Sequence, residues 1–328
     1  MSRRRVCCRA HAGFKFICFL EQDILYWKTD TAIPGKEREQ MELIHSYMED
    51  DALRHKLNDL TQKTFGFDFE NWVKDGYFEG DYIPYSFLEN GKVISNVSAN
   101  RMRFTQNGVI KEYIQIGTVM TDPAFRNQGL AKKLMKHVMA QYEDCCEGIY
   151  LFSDPGALGF YQKLGFAEGL QYRYRLKGET ARKEAVSPFL PVSPDGKSRY
   201  MDAVRQSAVN ASLEQINKFG LQMFYTADLS DVYYAADIDC YAVMKAEKDT
   251  LLLQSIICRR HWPMKEILAR MDVKYKNLFL GFAPCREDRS LFDAEVFDGG
   301  EDYRLFYRGK ALESIEKEKL FFPVLSHA

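Results

Sequence analysis

Between Met41 and Thr64 apolar residues recur at steps of three and four, at Leu43, Ile44, Tyr47, Met48, Leu53, Leu57 and Leu60. That is the period of an amphipathic helix or a broken pair of helices. Residues 69–73 predict a second, short helix. The period then changes to two. Residues 85–89 and 92–107 read as strands joined at Asn90-Gly91, and Asn107-Gly108 turns the chain into a third strand from Val109 to about Thr121. Three strands joined in this way make an antiparallel meander. Beyond Thr121 the apolar residues Leu130, Leu134, Met135, Val138, Met139 and Tyr142 fall on one helical face, with Lys132, Lys133, Lys136 and Gln141 on the other. Residues 148–153 predict a short buried strand. Asp154-Pro155 offers a side-chain cap and a first-turn proline for another helix, Gly165 stops it, and a last strand spans 170–176.

Pro188, Pro191 and Pro194, with Asp195-Gly196, mark a linker over 181–198 between a unit at 41–180 and another at 199–328. The second unit opens with a helical stretch over about 199–219. Strand-like segments follow at 233–244, 250–258, 277–282 and 303–307, with a short helix at 263–271. Residues 1–40 form an N-terminal extension expected to lie outside the fold. Its basic Arg3-Arg4-Arg5 is followed by an apolar run that Arg9, His11 and Lys15 interrupt, which does not make a working export signal.

Composition narrows the picture without identifying a reaction. The 328 residues, 46% of them hydrophobic, suffice for two domains with their own cores and exclude a disordered chain. With 45 basic against 46 acidic residues, neither nucleic acid nor an anionic membrane is the expected partner, and a small molecule is. The 8 cysteines form no CxxC pair and accompany no histidine cluster, so we expect reduced apolar fillers in a cytoplasmic protein, and no metal. No apolar run approaches the roughly 20 residues of a spanning helix.

The chemistry concentrates in residues 121–132, between a strand and a long helix. Gly129 allows close backbone approach to a ligand, and the first amides of the following helix, with its dipole, favour a bound phosphate. The pattern lacks the Gly-Lys-Ser/Thr of a Walker loop and the third glycine of a dinucleotide fingerprint.

Arg126-Asn127-Gln128-Gly129-Leu130-Ala131 resembles the Q/R-x-x-G-x-G/A pyrophosphate loop of the GNAT N-acetyltransferase superfamily. The run Ala157-Leu158-Gly159-Phe160-Tyr161-Gln162-Lys163-Leu164-Gly165-Phe166 is similar to the family's second motif, and the element order over about residues 42–176 fits. The resemblance implies an α/β (α+β) fold whose central mixed, mostly antiparallel sheet splays at an acetyl-CoA cleft. It also implies that Val119, Met120 and Thr121 offer a backbone edge to the pantetheine arm, and that Asn127 to Lys132, with Arg126 before them, wrap the pyrophosphate. Lys132 or Lys133 would add charge there or simply form the solvated face of the helix. Tyr161 aligns with the tyrosine that protonates the departing thiolate in many members. Asp154 stands where relatives usually carry asparagine, and either contacts the pantetheine amides or only caps its helix.

No general base is identified. Gln115 occupies the position where some relatives place a glutamate, and Glu112 falls on the opposite face of the strand. A water chain or a carboxylate from the second unit would serve. His137 reads as a boundary histidine, and Cys145-Cys146 as inert. The second unit, with strand, helix and strand over 250–282, reads as a smaller degenerate GNAT-like α/β domain, whose glycine-free junction at 258–263 should not cradle pyrophosphate. The expected function is acetyl transfer from acetyl-CoA to a primary amine of a small molecule. The alternatives are a protein N-acetyltransferase and a non-catalytic acyl-CoA-binding regulator.

Overall fold

The computed structural model describes residues 41–178, 186–271, 275–300 and 303–328, together with the backbone of Leu25–Tyr26. The expectation for the N-terminal extension otherwise lies outside the described residues. Strand β1 (Leu25–Tyr26) pairs antiparallel with β2 (Glu42–His45), which pairs in turn with residues 85–88. The sequence pattern reads this stretch as helical. It is a strand because both faces of the sheet are covered: Leu43 feeds the apolar layer on one side and Ile44 the layer on the other, so adjacent apolar residues mimic helical spacing. The helix α1 (Asp51–Phe65) begins only after Asp50, whose carboxylate accepts from Leu53 N at 3.0 Å, and stops at Gly66 with φ 78°. Helix α2 (Glu70–Lys74) is fixed to it through the buried Arg54, which donates to Glu70 at 2.9 Å.

The meander is as expected: β3 (Tyr82–Glu89), β4 (Lys92–Gln106) and β5 (Val109–Thr121), with positive φ at both Asn90-Gly91 and Asn107-Gly108. Helix α3 (Leu130–Tyr142), strand β6 (Gly148–Ser153) parallel to β5, helix α4 (Leu158–Gln162) and strands β7 (Ala167–Gly169) and β8 (Gln171–Leu176) complete the first half.

The second half departs further from expectation. After β9 (Leu190–Pro191) the stretch read as one helix divides into α5 (Lys197–Arg205), strand β10 (Leu213–Gln215) and α6 (Phe219–Thr226). Strand β10 leaves its own unit to pair with residues 104–106 of β4. The segment read as a strand over 233–244 is a hairpin of β11 (Val232–Ala235) and β12 (Cys240–Glu247), turned at Asp239 with φ 45°. Then come β13 (Thr250–Cys258), α7 (Met264–Leu268), β14 (Asn277–Leu280), the unforeseen β15 (Phe292–Phe297), β16 (Arg304–Arg308) and α8 (Ser314–Lys317).

The strands form two sheets of the same plan. The first runs β1-β2-β3-β4-β5-β6-β16-β7, and the second runs β15-β8-β14-β13-β12-β11-β9. In each, a meander leads by a helix into one parallel neighbour, β6 beside β5 and β14 beside β13. In each, the next place is filled from the other half: β16 sits between β6 and β7, and β8 between β14 and β15. Sheet membership therefore does not follow the expected boundaries at 180 and 199. Helices α3 and α4 cover one face of the first sheet, while Phe104, Tyr113 and Tyr150 of its other face pack with Leu253, Leu280 and Phe322 in a core shared with the second sheet.

One cysteine expectation is corrected. Cys240 and Cys258, opposite each other on β12 and β13 with Cα atoms 4.6 Å apart, form a buried disulfide. Strand register brings them together, which their separation of 18 residues does not reveal. Cys145 and Cys146 are free thiols.

Candidate active site

Strands β5 and β6 pair only across residues 113–115 and 148–150, then separate. The cause lies on the other edge of β5. Ser98 faces Gly117 and Asn96 faces Met120, so Thr118 and Val119 together oppose Val97 in a bulge, with Thr118 at φ 39°. A buried polar web holds that strained turn: Asn96 Nδ2 donates to the Thr118 carbonyl at 3.0 Å, and the Thr118 hydroxyl lies 2.8 Å from Tyr82 Oη and 3.0 Å from Ser98 Oγ. Residues 116–121 of β5 thus keep an edge toward β6 that no described strand occupies. Along it Met120 is buried, Val119 is half-buried, and Thr121 Oγ1 lies 2.9 Å from Ser95 Oγ.

Asp122 ends the strand. Its carboxylate accepts from Ala124 N at 2.9 Å and from Lys63 Nζ at 2.8 Å, which starts one turn of 3-10 helix at Pro123–Phe125. Arg126, Asn127, Gln128 and Gly129 are exposed, Arg126 Nε donating to the Thr121 carbonyl at 3.4 Å. Asn127 at φ 65° and Gly129 at φ 73° fold the loop back onto the start of α3. No side chain caps that helix, and its first internal bond is Lys133 N to the Gly129 carbonyl at 3.0 Å. The amides of Leu130, Ala131 and Lys132 accordingly have no partner among the described residues. A Cβ at Gly129 would meet nothing within 4 Å. The surface is open, electropositive at the helix end, and suited to an anion's oxygens.

Tyr161 on α4 is buried against Phe160, Phe166 and Phe306, in the apolar cluster that also contains Leu130 and is flanked by Val119. The first helical residue after the loop, the open strand edge and this phenol thus border one apolar cluster. Burial pushes the Tyr161 hydroxyl up to about 12, opposed by the hydrogen bond with Ser153 at the end of β6. Asp154 is exposed, and its Oδ1 accepts from Gly156 N at 2.7 Å as a cap. His137 is half-buried with its ring against Tyr85, and burial lowers its pKa. Glu112 is taken up by Arg103 at 2.8 Å.

Sequence reasoning missed what lies on the other side of the splay. Gln115 is fully buried, and in the amide orientation that suits all its neighbours it donates to the Ser326 carbonyl at 2.8 Å and accepts from Ala328 N at 2.8 Å. Gly117 has no room for a Cβ, which would collide with the Ala328 carbonyl and lie 3.0 Å from Asn100 Nδ2. A glutamine is needed here because one carboxamide supplies both donor and acceptor. Gln115→Glu is expected to lower stability by about 2 kcal/mol, since it buries a carboxylate against a carbonyl oxygen and removes the donor. An unchanged thermal midpoint would show that the clamp carries no weight. No motif signals this pairing, which spans more than 200 residues of sequence.

In the second sheet the corresponding loop, which leads into α7, is tied by its own and neighbouring side chains. Trp262 Nε1 donates to the Ile238 carbonyl at 3.0 Å, Arg260 lies over the Trp262 ring, and the buried Asp288 carboxylate accepts from Met264 N at 3.1 Å. An internal carboxyl group, its pKa raised by burial, thus holds the start of α7. Nearby, His261, Cys285 and Glu287 place one donor atom each within 4.8 Å of one another, a grouping their spacing conceals. Burial holds the Cys285 thiol up at about 12.

The family model described as acetyltransferase (GNAT) family matches residues 43–166. The [Ribosomal protein bS18]-alanine N-acetyltransferase of Escherichia coli (strain K12) is 24% identical over 118 residues, covering 34% of this chain and 73% of that protein. The fold over both sheets is shared with solved structures. A GCN5-related N-acetyltransferase from Kribbella flavida has a TM-score of 0.53 at 15% identity, covering 84% of this chain and 72% of that one. Another from Anabaena variabilis has 0.51 at 16%, covering 81% and 72%. No helix of the described residues is long and apolar enough to cross a membrane. The bulged strand, the open loop and the buried phenol thus belong to a matched sequence family as well as to a shared fold, and residues 43–166 are a GNAT-family N-acetyltransferase domain.

Proposed function

We propose that the chain transfers the acetyl group of acetyl-CoA to a primary amine. The observation that carries this reading is the convergence of three features at one splay: the unpartnered amides of residues 130–132, the open edge of 116–121 and the Tyr161 hydroxyl. The pyrophosphate would lie on the backbone from Asn127 to Lys132 with Arg126 beside it, and the pantetheine arm along Val119, Met120 and Thr121. Asp154, engaged as a cap, would border the arm without binding it. Acetyl-CoA supplies the activated acyl group, and Tyr161 the proton its sulfur needs on leaving.

The second half reads as a degenerate GNAT-like unit without cofactor, because the first amide of α7 is already taken by Asp288 and the glycine-free loop before it carries Trp262, tied to the Ile238 carbonyl. Calorimetry is therefore expected to give one acetyl-CoA per chain. Two sites, or none, would overturn this part of the reading. Helix α6 packs on residues 324–326, and a cleft at its start is lined by Trp72, Asp81, Tyr82, Asn100 and Asn217. An enclosed cleft of this kind favours a small-molecule amine. The similarity to an alanine N-acetyltransferase favours a peptide amine instead. The Cys240–Cys258 bond removes the cysteine argument for a reducing compartment. Thiol release with benzylamine, spermidine and a peptide bearing a free N-terminal alanine tests the reaction and separates the acceptors. Binding of acetyl-CoA with no turnover of any amine would favour a non-catalytic acyl-CoA-binding role.

A further inference from the structure

The loop that enters α7 and the turn that follows β14 are clasped together, since the buried Asp288 of the turn accepts from Met264 N at the end of the loop. His261 stands on the loop. Cys285 and Glu287 stand on the turn, where Cys285 precedes a 3-10 helix at Arg286–Leu291. One ligating atom from each of the three lies within 4.8 Å of the others, and His261 Nε2 is 3.6 Å from Glu287 Oε1. The ligand atoms of a tetrahedral zinc ion stand about 3.4 Å apart, given bonds of about 2.0–2.3 Å. Rotation of the solvent-facing His261 and Glu287 side chains, 36% and 65% exposed, closes that gap.

The backbone behind the three is already held. The disulfide at Cys258 anchors the start of the loop, and Trp262 Nε1 ties its middle to the Ile238 carbonyl at 3.0 Å. On the turn, Ser212 N donates to the Ala283 carbonyl at 2.9 Å and Ser212 Oγ to the Pro284 carbonyl at 2.7 Å, just before Cys285. Charge favours a cation as well. The carboxylates of Glu287, Asp288 and Glu214 act on the Cys285 sulfur, opposed by Arg289, and Glu214 is itself paired with Lys218. The other arginines flanking the three are engaged elsewhere: Arg259 with Asp239 at 2.7 Å, Arg260 over the Trp262 ring at 4.1 Å, and Arg286 with Glu318 at 3.5 Å.

We infer that His261, Cys285 and Glu287 bind one zinc ion. A thiolate, an imidazole and a carboxylate form the mixed donor set zinc takes, whereas calcium and magnesium take oxygen ligands. On binding, the Cys285 thiol gives its proton to the buffer, an imidazole nitrogen and one carboxylate oxygen donate beside the sulfur, and a water fills the fourth place from the solvent side. The ion staples the loop before α7 to the turn after β14. Spacing does not show the set, because tertiary contact assembles it.

The test uses the full chain, stripped with a chelator and with the Cys240–Cys258 bond left intact, titrated with zinc and separately with cobalt(II). Calorimetry should give one zinc per chain, the thermal midpoint should rise with zinc, and cobalt should develop a thiolate charge-transfer band in the near ultraviolet. His261→Ala, Cys285→Ala and Glu287→Gln should each weaken zinc binding by at least the roughly 10–100-fold that loss of a mere outer-shell partner costs, and Cys285→Ala should abolish the cobalt band. The side chains of His261 and Glu287 reach solvent, so those two variants keep the test valid if Cys285→Ala fails to fold. A chain with both Cys145→Ser and Cys146→Ser should bind as the wild type does. A wild type that takes up no zinc, His261→Ala and Glu287→Gln variants with wild-type affinity, or loss of binding in the Cys145 and Cys146 double variant would each overturn the assignment.

Discussion

Gly129→Val is expected to weaken acetyl-CoA binding on the order of 10²-fold, about 3 kcal/mol. Two effects contribute. Gly129 has φ 73°, and a β-branched residue held there is strained by about 1–2 kcal/mol. The variant relieves that strain by turning the amides of Leu130 to Lys132 away from their common direction. The space next to Gly129 is empty in the free protein, so a valine there meets no protein atom and occupies room needed by the pyrophosphate. Gly129→Ala should lie between the two, keeping the strain and adding less bulk. Calorimetry on folded protein reads the affinity, and a circular dichroism melt separates it from any loss of fold. Equal affinity in all three proteins would remove residues 126–132 from the proposed binding surface.

The first half of the chain was legible because its signals are local. Asn-Gly pairs at 90–91 and 107–108 demand positive φ, Asp154 caps the turn that follows it, and Gly165 at φ 83° ends α4. The Gly129 loop announced itself in the same way. Failures occurred where a residue's environment is set by distant chain. The strand Glu42–His45 looked helical because apolar layers lie on both of its faces, and the layer beside Ile44 includes residues from the second half, such as Tyr200 and Met223. The strands β8 and β16 each carry an ordinary strand pattern, but nothing in that pattern says they exchange sheets. Linker residues such as prolines mark breaks in the backbone, whereas sheet membership is decided by hydrogen bonding between strands more than 100 residues apart.

The same division holds at the site. The proposed donor side, residues 119–132 and Tyr161, is carried by local segments and their motifs. What lies across the splay is assembled from Gln115 and residues 326–328, which share no spacing. Gln115 explains why a search for a carboxylate on β5 fails, since that position holds residues 326 and 328 in place.

Tyr161→Phe is expected to leave acetyl-CoA affinity nearly unchanged and to lower kcat and kcat/KM together, each on the order of 10²-fold. The ring is buried against Phe160, Phe166 and Phe306, and phenylalanine keeps those contacts, so the variant removes only the hydroxyl and its hydrogen bond with Ser153. That hydroxyl matters when charge gathers on sulfur, which happens only as the carbon–sulfur bond breaks. With its pKa pushed up to about 12 by burial, the phenol stays protonated throughout the neutral and mildly alkaline range, so wild-type kcat should not decline on its account until pH approaches that value. A decline already in the mildly alkaline range that Tyr161→Phe abolishes would mean the phenol titrates normally and is more exposed than its packing indicates. Ser153→Ala separates two roles for the neighbouring hydroxyl. Loss of a bond that only orients the phenol should cost a few-fold in kcat, far less than Tyr161→Phe. If Tyr161→Phe instead weakens acetyl-CoA binding with kcat unchanged, the side chain is a wall of the cleft, and the thiolate leaves to solvent without a protein donor.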